Sequence, residues 1–505
     1  MSQLPSVPIE LTGDQHRALE VFSDWLTAEQ ADVPFVLSGY AGSGKTFLSM
    51  RLLRLVEASG LCWTVVAPTH KAVGVLRQAL SLEGLQPTWY PSTIHRLLRL
   101  KLRRQGDREC CESTEQTAVA LEHLGLVLID EASMVDRALL EIALQCAHPF
   151  RTRLVFVGDP AQLPPVGEAE SPVFALQRAR SACLRQVVRH QGPVLKLASC
   201  LRDGRIPCER PPLLPPVRSP RGCVAAVERQ VWLTRAQEAL KQASCADNPD
   251  AARILCWTNR RLEQLVPHAR RAIHGELADQ MPVLPGEVLI TRTAVMAPAS
   301  RDGGEMGEEP DLVLGSNREL LVEDVTPERC DLVDFGLSDA ELRADGQLAL
   351  SGMAEPRQGL PAVGVPVIDT QVVRVRCGEL QLNLRLLPHV GSESRQQLDQ
   401  LLQRLRLQAR EAGKGDGRSL WRRYFLIRDA FASVGPAAVL TVHRSQGSSF
   451  GQVFVADDVF WPQDPALRRQ LVYVAVSRAR EGVWMVGQSG PGAVTERWLQ
   501  ALRSD

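Results

Sequence analysis

At 505 residues the chain is long enough to bury several cores, on the order of three or four domains. Its 45% apolar and 23% charged composition describes an ordinary soluble globular protein, and a formal net charge of +0 excludes a global basic field while leaving room for a locally basic channel. No run reaches the roughly 18 uninterrupted apolar residues of a membrane span, and the opening MSQLPSVPIELTGDQ has no basic segment followed by an apolar one, so the expectation is a cytoplasmic protein without membrane contact. The 12 cysteines are scattered without C-x-x-C spacing and read as reduced thiols rather than a zinc site or a disulfide frame.

The first predicted helix begins at LTGDQ, where Thr12 or Asp14 can accept the free N–H groups of the run HRALEVFSDWL. Gln15 stands just before the next strand, and its amide offers both a donor and an acceptor to an adenine edge. A solvated helix residue is the alternative.

The stretch FVLSGYAGSGKT, Phe35 to Thr46, is a complete P-loop: an apolar strand, a glycine-rich turn, then the helical run FLSMRLLRLVE. Gly39, Gly42 and Gly44 let the backbone curl so that N–H groups along Gly39, Ala41, Gly42, Ser43 and Gly44 face a phosphate chain at a helix N-terminus. Lys45 would reach the β- and γ-phosphates, and the Thr46 hydroxyl would ligate Mg²⁺, which makes ATP and Mg²⁺ the expected cofactors.

CWTVVAPTHKAVGVLRQAL follows, a β-rich run and then a helix, with Thr69 and Lys71 at the strand's carboxyl end, where open α/β sheets place ligands. A hydroxyl and an ammonium there suit a nucleic-acid phosphate, with a helix cap and a surface lysine as the plain alternative. Thr93 and His95 are polar residues in the apolar run PSTIHRLL. The segment LRLKLRRQGDREC alternates around Gly106-Asp107 like a β-hairpin made basic by Arg99, Lys101, Arg103 and Arg104. It reads equally as a solvated surface hairpin.

LGLVLIDEASMVD is the second anchor. A buried strand delivers Asp130, placed to hold Mg²⁺, and Glu131, placed to activate water as general base. Then RLVFVGDPAQLPPVG gives a strand ending at Gly158-Asp159-Pro160, with Gln162 placed to sense a γ-phosphate. Further on, the stretch 207–220 is too rich in proline for a helix or a central strand and reads as a stiff surface loop. Short β-like runs (EVLI, RELLVEDV, TQVVRVRC, ELQLNLRLL) occupy 282–389, and leucines at helical spacing run through QQLDQLLQRLRLQAR.

GYAGSGKT, LIDEAS and VFVGDPAQLPPVG, in that order at three strand ends, resemble motifs I, II and III of the superfamily 1 helicases. LRQVVR with Arg189 is similar to motif IV, and ILCWTNRRLEQL with Asn259 to the segment after it. LTVHRSQGSSFGQVFV is similar to motif V and LVYVAVSRAR with Arg478 to motif VI. The wording APTHKA, TIHRLL and TVHRSQGSSF most resembles the Dda/RecD-like 5′→3′ DNA helicases.

The resemblance implies an α/β fold of two RecA-like P-loop NTPase cores with parallel sheets, ATP lying between them. The first core would take 1–95 and 121–184, with a hairpin insert at 96–120. The second would take 185–281 and 432–505, with an SH3-like β-barrel insert and helical extension at 282–431. By the same analogy Arg189 and Arg478 reach the γ-phosphate, and Gly447 joins the nucleotide side. Thr69, Lys71, Thr93, His95, Asn259, Thr441 and His443 would line the single-strand path. Where some members carry an aromatic before the motif IV arginine, this chain has Val188, which leaves Gln15 as the main adenine candidate. The expected function is a monomeric ATP-dependent helicase acting on single-stranded and duplex DNA beside repair or replication proteins. An RNA helicase of the same superfamily and a non-motor ATP-gated subunit of a nuclease or repair complex are the alternatives.

Overall fold

The apolar runs that end in candidate residues fold as strands with both faces covered, as parallel sheets require. In the first core these are β1 (Phe35–Gly39), β2 (Trp63–Ala67) and the short β3 (Ser92–Thr93). After the hairpin β4 (Lys101–Gln105) and β5 (Arg108–Glu112) come β6 (Leu126–Ile129), β7 (Arg153–Gly158) and β8 (Arg180–Leu184). The computed structural model describes residues 10–29, 32–105, 108–165, 167–188, 192–297, 312–332, 367–412, 416–490 and 492–503. The chain divides into two compact units, one of Met1–Lys101, Cys111–Ile273 and Ala438–Asp505, the other of Leu102–Cys110 and His274–Ala437.

The first sheet has the order β3-β2-β6-β7-β1-β8, with every pairing parallel. One face is covered by a cluster including Phe22, Trp25, Leu48, Leu52 and Leu76, the other by one including Ile94, Leu139, Leu140 and Ala143. The helix Gly13–Thr27 is fixed to this sheet by its aromatic side chains. Phe22, Trp25 and Phe35 lie 5.1–5.4 Å apart between ring centroids, and such pairs add about 0.5–1.5 kcal/mol each beyond area burial. That docking carries Asp14 and Gln15 to the P-loop. At the base of the hairpin, Arg99 turns with φ 51°, and its carbonyl accepts from the hydroxyls of Thr114 and Thr117 at 3.3 and 3.4 Å.

The second core begins with β9 (Leu214–Ser219), β10 (Gly222–Val227) and β11 (Ala252–Cys256). The proline-rich stretch expected as a loop therefore supplies a strand. It is an edge strand, antiparallel to β10, and Pro215 and Pro216 fall where the register shifts opposite Val224 and Ala226, so no ladder N–H is missed.

In the second unit the strands β12 (Val288–Thr291), β13 (Val295–Met296), β14 (Leu312–Leu314), β15 (Glu319–Asp331), β16 (Val367–Cys377), β17 (Leu380–Arg385) and β18 (Val434–Pro436) follow. Five pair antiparallel in the order β17-β16-β15-β12-β18. Leu386, just past β17, bridges Ala432, just before β18, so the ring of pairings closes around a core including Leu289, Leu320, Val322, Val373 and Leu384. The helices Glu393–Glu411 and Asp416–Asp429 bring Leu398, Leu405 and Ile427 into a second small core.

The chain returns with β19 (Val439–Thr441), β20 (Phe450–Val455) and β21 (Ala479–Val486), giving the order β19-β11-β20-β21-β10-β9, parallel except at β9. Trp232 anchors a covering helix by donating its indole N–H to the Trp484 carbonyl at 3.1 Å.

Candidate functional site

The P-loop turn forms where side chains cannot be accommodated. A Cβ on Gly39 would stand 2.9 Å from the Leu184 Cβ and 3.0 Å from its carbonyl oxygen, and Gly44 caps the helix Lys45–Ala58 at φ 81°. Gln15 braces the turn: its amide nitrogen donates to the Ser43 carbonyl at 3.1 Å, and its oxygen accepts the Thr12 N–H at 3.0 Å in a capping box. The amide proposed for adenine thus has its acceptor engaged in capping and one N–H engaged in holding the loop. Asp14 accepts the N–H groups of Arg185 and Gln186, each at 2.9 Å, and the Val188 N–H donates to Gly42 at 3.1 Å. These bonds moor the chain leading to residue 189. Arg189 itself lies outside the described residues.

Lys45 donates to the carbonyls of Gly39 and Tyr40 at 2.9 and 3.0 Å. Desolvation pulls its ammonium below the ordinary lysine value, against the attraction of Asp159, Glu131 and Asp130, so these four groups share one electrostatic site. Burial, and next the Glu131 carboxylate, push Asp130 well above the usual carboxylate range, with the Glu131 N–H and the Lys45 charge opposing. Glu131 has φ 53°, a left-handed conformation rare outside glycine, and its N–H donates to Asp130 at 2.8 Å. Strain of about 1–3 kcal/mol at such a residue is typical of functional sites. A helix-start hydroxyl at Thr46 and a half-buried carboxylate at Asp130 make an oxygen donor set that fits a hard divalent cation.

The second core closes on this site through named contacts. Gln446 donates to the Leu163 carbonyl at 3.0 Å, just beyond Gln162. Gly447 adopts φ 73°, and the atoms nearest its Cβ position belong to Thr69 and Ala72, so it meets the start of the helix after β2. Arg478 caps the helix Pro465–Ser477, donating to the Ser448 carbonyl at 3.2 Å and the Ser477 hydroxyl at 3.1 Å. Three buried polar atoms among the candidates have no protein partner: Ser43 Oγ, Gln162 Oε1 and Arg478 Nε. Groups left so are costly in an apolar interior and suit a polar ligand.

The polymer candidates follow other strands, although Thr69 meets Gly447. Thr69 follows β2, Thr93 ends β3, Asn259 follows β11, and Thr441 and His443 stand at the end of β19. In each sheet two of these strands are neighbours at one edge of the order, β3-β2 in one and β19-β11 in the other. Thr69 and Thr93 also cap helices, accepting from Ala72 at 3.3 Å and Arg96 at 3.4 Å. Lys71 lies 3.7 Å from the Asp250 carboxylate of the second core. Burial lowers His95 and His443 below the ordinary histidine value, so both are neutral near pH 7. Asn259 is exposed, and the cap of its helix is Thr258, which bonds Asp458 through both N–H and hydroxyl at 2.8 and 3.0 Å.

Sequence reasoning passed over Asp159, Arg202, Thr258, Asp458 and Tyr473. Asp159 and Tyr473 lie inside quoted motifs and carried no assigned role, while Arg202 ends a helix with no local signal.

A family model described as an AAA domain matches residues 10–210, and one described as a UvrD-like helicase C-terminal domain matches 436–486. The ATP-dependent DNA helicase dda of Enterobacteria phage T4 is 22% identical over 94% of this chain and 99% of its own length. The ATP-dependent RecD2 DNA helicase of Deinococcus radiodurans is 34% identical over 34% of this chain and 22% of its own length. The Pif1 helicase of Candida albicans matches in structure over 97% of this chain and 99% of its own at 15% identity, with a TM-score of 0.43, too low to add to the case. Two sheets built on parallel strands, a P-loop followed by its carboxylates at the next strand ends, and a relative matched along its full length together make the chain similar to the superfamily 1 helicases of the Dda/RecD type.

Proposed function

We propose that the protein is an ATP-dependent DNA helicase that moves 5′ to 3′ on single-stranded DNA and separates duplex as it hydrolyses ATP. The observation that carries this is the placement of buried second-core groups against the P-loop and the strand end after β7, as coupling of hydrolysis to movement between cores requires. The single-strand path runs along the β3-β2 and β19-β11 ends, using Thr69, Lys71, Thr93, His95, Asn259, Thr441 and His443 for backbone contacts.

Lys45 and the P-loop amides bind the phosphates, and Glu131 takes a proton from the attacking water. Gln162, Arg478 and Arg189 meet the γ-phosphate, the arginines offsetting charge that builds in the transition state. Thr46 and Asp130 would hold Mg²⁺, which neutralises phosphate charge when bound. Gln15 keeps the P-loop in register, with its remaining N–H facing adenine.

ATP turnover measured without polymer, with single-stranded DNA and with RNA tests the substrate, and unwinding of 5′- and 3′-tailed duplexes tests direction. DNA-stimulated turnover with opening of the 5′-tailed duplex is expected. Stimulation by RNA alone would make it an RNA helicase, and stimulated hydrolysis without unwinding would make it a gated binding subunit.

A further inference from the structure

Beside the P-loop, a buried cluster joins the two cores through side chains to which the reading above assigns no individual role. Asp159 at the end of β7 is fully buried. Its Oδ2 accepts from the Tyr473 hydroxyl at 2.6 Å, and its Oδ1 accepts from the Arg202 guanidinium and from the Ala161 N–H at 3.1 Å. Arg202 also lies 3.8 Å from the centroid of the Tyr40 ring, and the Tyr40 hydroxyl donates to Asp203 at 3.0 Å. Arg202, Asp203 and Tyr473 belong to the second core, Tyr40 and Asp159 to the first.

The contact that gives the cluster a direction is at Ala41. Its N–H, one of the P-loop amides proposed to bind phosphate, donates to the Tyr473 oxygen at 3.0 Å. A carboxylate can only accept, so the phenol proton points to Asp159 and the phenol lone pairs face the loop. Burial and the Asp159 charge hold the Tyr473 phenol far above its ordinary value, so it stays protonated. The arginine balances a carboxylate that would otherwise be a costly buried charge.

We infer that Tyr473 is a positioning residue that competes with nucleotide phosphate for the Ala41 amide, so that nucleotide binding releases a second-core helix from the P-loop. Asp159 and Arg202 hold the phenol ready. The same helix, Pro465–Ser477, is capped by Arg478, so the release resets the arginine proposed to meet the γ-phosphate. The inference rests on the P-loop being the nucleotide site.

The test is ADP binding by the full chain without DNA, read by displacement of a fluorescent ADP analogue. Tyr473→Phe keeps the packed ring and removes the competing oxygen, so ADP should bind about 2- to 10-fold more tightly, the worth of one hydrogen bond. Loss of a merely structural bond would move affinity the other way, so unchanged or weaker binding overturns the inference. A second measurement needs no variant at position 473. The chain has 4 tyrosines, so 3-fluorotyrosine labelling gives four ¹⁹F lines, and Phe replacements at Tyr40, Tyr90 and Tyr424 assign the fourth. The Tyr473 line should shift on saturation with ADP, and a line that stays fixed overturns the inference. Wild-type protein that binds no ADP would overturn both this and the nucleotide-site reading, whereas wild-type binding and hydrolysis with no gain in Tyr473→Phe would overturn this alone.

Discussion

The two cores share a sheet plan and spend it differently. In the first, the proposed nucleotide residues lie just past the carboxyl ends of parallel strands: the P-loop after β1, Asp130 and Glu131 after β6, Asp159 and Gln162 after β7. In the second, Arg202 ends one helix, Tyr473 lies about one turn from the end of another and Arg478 caps it. A strand end buried in a sheet fixes backbone N–H groups and short carboxylates in place. A helix end offers long side chains that travel with the whole helix. The contrast suits one half to holding a ligand and the other to responding to it.

The largest effect should separate the halves most cleanly. Lys45→Ala removes the phosphate-binding charge, so nucleotide binding and turnover should both fall to background in a steady-state ATPase assay and a binding titration. Arg478→Ala should leave ADP affinity within a few-fold of wild type and cut DNA-stimulated turnover on the order of 10³-fold. Were the arginine variant to lose binding as badly as the lysine variant, the division of labour would fail.

The hairpin offers a smaller effect outside both sheets. Breaking one base-pair step costs about 1.4 kcal/mol, so a moving core gains from a rigid wedge at the fork. Replacing Leu102 through Arg108 with a short Gly-Ser turn should keep ATPase within about 2-fold while slowing unwinding by about 10-fold, read on a forked duplex by strand-release fluorescence. Equal unwinding would make it a surface hairpin.

The smallest effect concerns the mooring of the P-loop. The Gln186 N–H, and after it those of Arg185 and the Arg17 charge, hold the Asp14 carboxyl below its ordinary value despite partial burial. A carboxylate so depressed stabilises the fold above its unfolded value of 3.8 and stops doing so as pH falls through its lower folded value. Asp14→Asn should therefore cost about 1–2 kcal/mol at pH 7, with the gap closing under acid. Thermal melts from neutral pH to below 3.8 check this.

What the sequence made legible follows the same contrast. A strand-turn-helix with three glycines and Lys45 has a local chemical signature, as do paired carboxylates ending an apolar run. Arg202 has none, because an arginine in the last turn of an amphipathic helix looks like any solvated one until Asp159 is placed opposite it. Proline content misled at 215–216, since the rule against proline concerns central strands and β9 is an edge. Gln15 was picked out for its amide, yet what that amide bonds depends on the Ser43 carbonyl, which only the folded loop supplies.

The place of β21 in the second sheet has a consequence for how the chain leaves the ribosome. The first sheet has its last strand by Leu184, whereas β10 pairs with β21, which ends at Val486. At 5–20 residues per second, the roughly 260 residues between the end of β10 and the end of β21 take about 13–52 s to synthesise. Throughout that interval the apolar strand GCVAAV has only the β9 side of its ladder satisfied. An exposed strand edge of this kind invites pairing with another nascent chain, so the second core is the half whose yield should respond to chaperones and to slowed growth temperature.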